Sequence, residues 1–294
     1  MHLAALVHLL LVIAGRQGGT PDAPAFYSVG YDDCVAVEEQ HQVRVGSPRI
    51  VLAKAQKPLR VSIDAMIPWR APSYERRPHG DCTDAFRRDL ADSEGTRANV
   101  TQFAHVSPLP QDQSDYGIFF AVPPSSAIVL GGAPAALGAR ERRRLVDGIR
   151  ASLPRDWRVG RTLVRAYRYG PASGHTIDEL YVGVPRLNPA GTDPPIERIS
   201  IRRFFLLDGR LAASEKYDRE SGVEERADTG APELNYENWS RSETEHTVAF
   251  ISRDQGHSWE RLCTNGGFEG IHWIVQSLRA GLPEVFHRWL YTPH

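Results

Sequence analysis

The sequence predicts an α+β fold: a mainly antiparallel β-sheet, laid out as a meander with hairpins and packed by a central helix and C-terminal helices. Three observations predict it. Short runs with strand-like alternation recur between Pro- and polar-rich breaks at 70–78, 107–114 and 188–195. One stretch, 139–152, carries a clear helical period. Near the end, Ile271, Ile274, Val275 and Leu278 recur at helical spacing.

Taken in order, the chain opens with an unbroken apolar run from Leu3 to Ala14, too short to span a bilayer and followed by Gly, Gln, Thr, Pro and Asp. That is the pattern of a signal-peptide core, with cleavage expected after Ala14 or Ala25. No later stretch is apolar for long enough to form a transmembrane helix. The expected organisation is a signal peptide at 1–25, an N-terminal α/β region at 26–135 and a C-terminal β-meander region with helices at 136–294. The alternative is one continuous domain spanning the last two. The expected location is the periplasm or the extracellular space.

Strand patterns in the first part lie at 50–55, 60–66, 116–122 and 127–130, with a short helix at 84–92. In the helix at 139–152, Leu145, Val146 and Ile149 form the apolar face and Leu153 extends it. Arg140, Arg142, Arg143 and Arg150 crowd the other sides, and Pro154 stops it. An arginine run on an amphipathic helix of a near-neutral chain reads first as a solvated face. The second part meanders through strands at 158–168, 179–185, 197–207, 210–217, 247–252 and 258–263. Asp208-Gly209 fits a two-residue type I′ turn, which pairs Leu207 with Arg210 and, counting back, sets Arg202 opposite Glu215. Arg203 then falls on the other face between Ile201 and Phe205, either snorkelling at a sheet edge or lining an anion pocket. After the C-terminal helical run, Gly281 suits a C′ position and Pro283 opens a second helical turn bearing Val285, Phe286, Trp289 and Leu290.

The most specific local signal is Ser-Arg-Asp-Gln-Gly-His-Ser-Trp at 252–259. Asp254 can bond the backbone of a turn, and Gly256 is free to take positive φ. Ser252, Asp254, Gly256, Ser258 and Trp259 satisfy every defined position of the pattern Ser/Thr-x-Asp-x-Gly-x-Ser/Thr-Trp. The octapeptide therefore resembles the Asp-box of sialidases and other BNR-repeat proteins. The resemblance covers these eight residues, and no second copy occurs at propeller spacing. It implies a β-hairpin that plays a structural part in the fold, with a faint association to sugar chemistry. It carries no catalytic residue onto this chain.

With a formal charge of −1 over 294 residues, the chain has no net electrostatic footprint for nucleic acid or an anionic membrane. Its basicity is almost all arginine, with lysine only at 54, 57 and 216. Of the three cysteines, Cys34 and Cys82 share the N-terminal half and are the expected disulfide, while Cys263 reads as a small buried hydrophobe. No Cys-x-x-Cys or histidine cluster accompanies them, so neither a metal nor a cofactor is expected. Nucleophile elbows, Walker loops, dinucleotide fingerprints and zincin helices are missing from the sequence. The group most suggestive of chemistry is Glu269 with His272, three residues apart after a pair of glycines. On a helix they would share a face as an acid/base pair or two ligands. The ordinary reading, a helix-start charge and a packing imidazole, outweighs that. Trp239 and Trp289 are candidate binding aromatics. The balance favours an exported, non-catalytic binding protein with a protein or glycan partner, and the alternative is a secreted carbohydrate-active hydrolase.

Overall fold

The computed structural model describes residues 27–31, 33–38, 43–53, 57–68, 100–109, 118–123, 128–131, 134–158, 162–172, 174–187, 197–219, 223–225, 232–234, 245–266 and 270–291. The expected signal peptide, the helix at 84–92, Glu269, Cys82 and Trp239 lie outside them. Among the described residues the architecture is β throughout, apart from one α-helix and two short 3₁₀ turns, which overturns the α+β expectation.

A closed antiparallel barrel comes first. It is built from β1 (Ser28–Tyr31), β2 (Cys34–Glu38), β3 (Pro48–Leu52), β4 (Leu59–Pro68), β5 (Val100–Ser107) and β6 (Ile118–Val122), in the order β1-β2-β5-β4-β3-β6. Alternation along each strand divides inside from outside. Val35, Val37, Val51, Val61, Ile63, Phe119 and Ala121 fill one cluster. The residues between them, Ile50, Leu52, Phe120 and Val122, belong to another.

The outward set packs on a second, five-stranded sheet. Its members are β7 (Ile128–Gly131), β15 (Glu245–Ser252), β16 (Glu260–Gly266), β17 (Gly270–Ser277) and β18 (Glu284–Tyr291), ordered β18-β17-β16-β15-β7. Ala249, Ile251, Leu262, Trp273 and Val275 of this middle sheet meet the barrel, with the Phe120 and Trp273 rings edge to face at 4.5 Å. The opposite face of the middle sheet, through Leu130, Phe250 and Trp259, packs on Tyr169, Ile177, Phe205 and Ala213 of a third sheet. This outer sheet comprises β8 (Ala135–Ala136), β9 (Leu163–Ala172), β10 (His175–Leu187), β11 (Glu197–Leu207) and β12 (Arg210–Arg219), ordered β12-β11-β10-β9-β8. A separate two-stranded ribbon pairs β13 (Val223–Glu225) with β14 (Pro232–Leu234).

The helix α1 (Ala139–Ile149) continues into a 3₁₀ turn at Arg150–Ser152. Its Leu145 and Ile149, with Leu153 and Trp157, cover the far face of the outer sheet at Leu180, Val182, Phe204 and Leu206. The helix thus lies on the outside of the stack and is not its centre. Arg168 ties it down, with Nε and Nη2 gripping both oxygens of buried Asp178 at 2.6 and 3.0 Å while Nη1 reaches Glu141 at 3.1 Å.

Two expectations are corrected here. The C-terminal helices are the strands β17 and β18. Burial against the barrel imposes period two, so Ile271, Trp273 and Val275 share a face where the helical reading grouped Ile271, Ile274, Val275 and Leu278. Gly281 and Leu282, both at positive φ, turn the chain between the two strands instead of capping a helix. The second correction is one of register. Asp208 and Gly209 do form a positive-φ turn that pairs Leu207 with Arg210, but a bulge follows between Phe205 and Leu206. It shifts the ladder by one, so Glu215 faces Arg203, and Arg202 faces Lys216.

Candidate functional site

That one-residue shift brings Arg203 into the densest charged group of the described structure. Arg203 on β11 and Arg261 on β16 point into the space between the outer and middle sheets, and their side chains are 3% and 0% exposed. Glu245 on β15 bridges them, accepting from Nη2 of each at 2.6 Å through the same oxygen. Glu215 on β12 closes onto Arg203 from the cross-strand position. Glu179 on β10 lies 3.6 Å from Arg203 and 3.8 Å from Arg261. Its oxygens accept from Tyr181 at 2.8 Å, Tyr169 at 3.1 Å and Thr247 at 3.2 Å.

The remaining donors of Arg261 are also used. Its Nε donates to Thr247 at 2.9 Å and its Nη1 to Gln276 at 3.0 Å, while the guanidinium lies over the Phe205 ring at 5.2 Å. A planar five-donor fork suits this position as an ammonium group could not. Electrostatics follow from the geometry. Burial alone would raise the Glu245 carboxyl, but Arg261 and Arg203 overcome it and hold the group at about 2. Burial and neighbouring Arg203 press against the Arg261 charge, and the carboxylates around it outweigh both, so its pKa is raised. Burial pushes the Cys263 thiol up to about 11, with Arg261 opposing. Every charge in the cluster meets an opposite charge from a different strand, so the arrangement joins two sheets through ion pairs. It is filled by its own side chains.

The 252–259 turn closes the same two strands, β15 and β16. Asp254 organises it, accepting from the Ser258 N–H at 2.8 Å, the Ser258 hydroxyl at 2.6 Å and the Ser252 hydroxyl at 2.8 Å. The Gly256 N–H donates to Ser252 Oγ at 2.7 Å, and Trp259 Nε1 donates to the Gly256 carbonyl at 3.1 Å. Gly256 is required twice over. Its φ is +97°, and a Cβ there would lie 2.6 Å from Nε2 of His175. His175 in turn sits edge to face with buried Trp259 at 5.7 Å and holds Asp208 at 2.9 Å. Three hairpin tips therefore meet at one imidazole, a contact that nothing in the local sequence around His175 announced.

Other expected residues disperse. His272 lies on β17, so it does not share a helix face with Glu269. It faces His287 of β18, Nδ1 to Nε2 at 2.8 Å. Trp289 occupies β18 opposite His272. Cys34 is buried at the start of β2, and Cys263 is buried and free on β16. On the barrel, His105 Nδ1 meets Asp64 at 2.7 Å, and its Nε2 lies 3.7 Å from Asp33. Along α1, Arg140, Arg143 and Arg144 are exposed, as are Arg150 and Arg155 just beyond it. Glu141 and Asp147 are the exposed acidic residues of the same helix. Arginines 203 and 261 were the buried charged pair hardest to see in the sequence. They lie on different hairpins, and only the sheet-on-sheet packing brings them together.

Among the described residues, no helix is long and apolar enough to cross a membrane, and no group of three or more His, Cys, Asp and Glu side chains is arranged around a metal position. No protein-family model, curated protein or solved structure matches the chain.

Proposed function

We propose that the chain is an exported, non-catalytic binding protein that takes an acidic protein or an acidic glycan on the arginine face of α1. The observation that carries this reading is the contrast in how its charges are placed. The buried arginines spend their donors on the chain's own carboxylates, whereas Arg140, Arg143 and Arg144 project from one helix into solvent. A guanidinium is weakly hydrated and forks onto carboxylate, sulfate or phosphate through two parallel hydrogen bonds. Several of them on a helix whose other side is fixed by Leu145 and Ile149 form a rigid anion-binding face. The chain is near neutral overall, so attraction is local to that face and weakens with salt. Export rests on the apolar leader-like run at Leu3 to Ala14.

The test is an array of acidic and neutral glycans and glutamate-rich peptides probed with the mature protein and with an Arg140→Ser/Arg143→Ser/Arg144→Ser variant. Retention on acidic probes that the variant loses is the expected result, and equal retention by both proteins would remove the face from the proposal. The second reading, a secreted carbohydrate-active hydrolase, is supported by the turn that resembles an Asp-box. Release of reducing sugar from a neutral oligosaccharide, abolished by Glu269→Gln, would put it first.

A further inference from the structure

Two arginines of the outer sheet show how this fold treats a guanidinium withdrawn from water. Arg168 grips Asp178 and reaches Glu141, and Arg203 is ringed by Glu215, Glu245 and Glu179. Arg202 departs from that pattern. It follows Phe204 and Leu206 onto the opposite face of β11 from Arg203, the face that α1 and Trp157 cover. Its ladder neighbours there are Val182 on β10 and Lys216 on β12, an apolar side chain and a second cation. The guanidinium lies over the ring of buried Trp157 at 5.8 Å from the centroid. Nε is buried and makes no hydrogen bond, and among the described residues no carboxylate pairs with the group. The residue as a whole is half-buried, so the guanidinium meets solvent at its Nη end.

We propose that Arg202 is a docking point for a carboxylate of an acidic partner protein, which binds end-on across Nη1 and Nη2 and supplies the counter-charge that the fold withholds. Partial burial weakens the hydration of the cation, and the cation across the ladder adds repulsion that stacking on one indole offsets only in part. The same surroundings make the group rigid. With Nε turned inward over Trp157, the fork presents its two outer nitrogens as parallel donors, which match the two oxygens of one carboxylate. Carboxylate is also the group that Arg168, Arg203 and Arg261 take within this fold. Sulfate and phosphate carry further oxygens that call for further donors, and Val182 on one side offers none. The inference rests on the anion-binding reading of α1 for the kind of partner and extends it along the same side of the outer sheet. Arg150 and Arg155, both exposed, stand on the two turns that lead from α1 to Trp157.

The experiment measures binding of polyglutamate and of a sulfated glycan to the mature chain, to Arg202→Gln, to Arg202→Lys and to the Arg140/Arg143/Arg144 serine variant, with urea unfolding of each. Arg202→Gln should weaken polyglutamate binding by about tenfold to a hundredfold. Its stability should be unchanged or slightly raised, because the charge it removes has no partner inside the fold. Arg202→Lys should not restore the affinity, since an ammonium presents no planar pair of donors. Wild-type protein that ignores polyglutamate, or takes the sulfated glycan in its place, would overturn the proposal. So would an Arg202→Gln protein that binds polyglutamate like the wild type, or one that loses as much stability as Arg261→Leu, which would make Arg202 a structural residue. Binding lost in the serine variant and kept in Arg202→Gln leaves the α1 reading standing without this docking point, and the reverse result leaves the docking point standing alone.

Discussion

Arginine serves opposite ends in two regions of this molecule. Between the outer and middle sheets, Arg203 and Arg261 are shut off from water and tied by short hydrogen bonds to Glu245, with Glu215 and Glu179 around them. On α1, Arg140, Arg143 and Arg144 stand in solvent on a helix whose anchoring is done by leucine and isoleucine. The side chain is the same, and its surroundings decide whether the charge is structural or available. A guanidinium without water must find carboxylates within the fold, and removing one partner leaves the other charge stranded. A guanidinium in water contributes little to stability and keeps its donors for a partner.

The contrast is broken most directly from the inside. Arg261→Leu should destabilise the protein by about 3 to 5 kcal/mol, because Glu245 is left buried with half of its compensation. Urea unfolding measures it, and a change below about 1 kcal/mol would mean that water enters the cluster. Next comes acid. Glu245 has a folded pKa of about 2, depressed from an ordinary 4.5, so its contribution is fully present above about pH 4.5 and is lost as pH falls toward 2. The shift corresponds to about 3 kcal/mol. Stability of Glu245→Gln should be lower at neutral pH and flatter across that window than the wild type.

Cys263 reports on the dryness of the same region. With its thiol pushed up to about 11 by burial, it should resist alkylation at pH 8 in the folded protein and react once the chain is unfolded. Peptide mapping without reductant in the same experiment tests the proposed Cys34–Cys82 link, which should leave Cys263 as the labelled thiol. The smallest effect on stability belongs to the outside. Arg140→Ser/Arg143→Ser/Arg144→Ser should change unfolding free energy by no more than about 0.5 kcal/mol per site.

Features fixed by contacts a few residues apart were legible in the sequence. The apolar face of α1, the turn at Asp208-Gly209 and the turn at 252–259 all depend on neighbours along the chain, and each was placed within a residue or two. What was hidden depends on distant partners. Barrel closure joins β1 to β6 and β2 to β5, pairings that no periodicity in a single strand encodes. Ile271, Ile274 and Val275 match helical spacing, whereas strand alternation groups Ile271, Trp273 and Val275. The β-branched side chains of Ile271, Ile274 and Val275 favoured the strand, and the barrel against Trp273 and Val275 decided it. The bulge after Phe205 is one residue long, yet it moved Glu215 from Arg202 to Arg203 and so completed the buried cluster. The shared helix face suggested for Glu269 and His272 does not form, since His272 lies on β17 and contacts His287 across a strand, while Glu269 lies outside the described residues.

The central claim is that the inner arginines hold the fold and the outer ones serve a partner. It is tested most directly by measuring retention on an acidic glycan or peptide surface for wild type, for the Arg140/Arg143/Arg144 serine variant and for Arg261→Leu under conditions where all three are folded. The account predicts that only the serine variant loses retention and that added salt weakens the other two alike. Loss of retention in Arg261→Leu with the serine variant unaffected would contradict it, and would place the binding chemistry in the buried cluster.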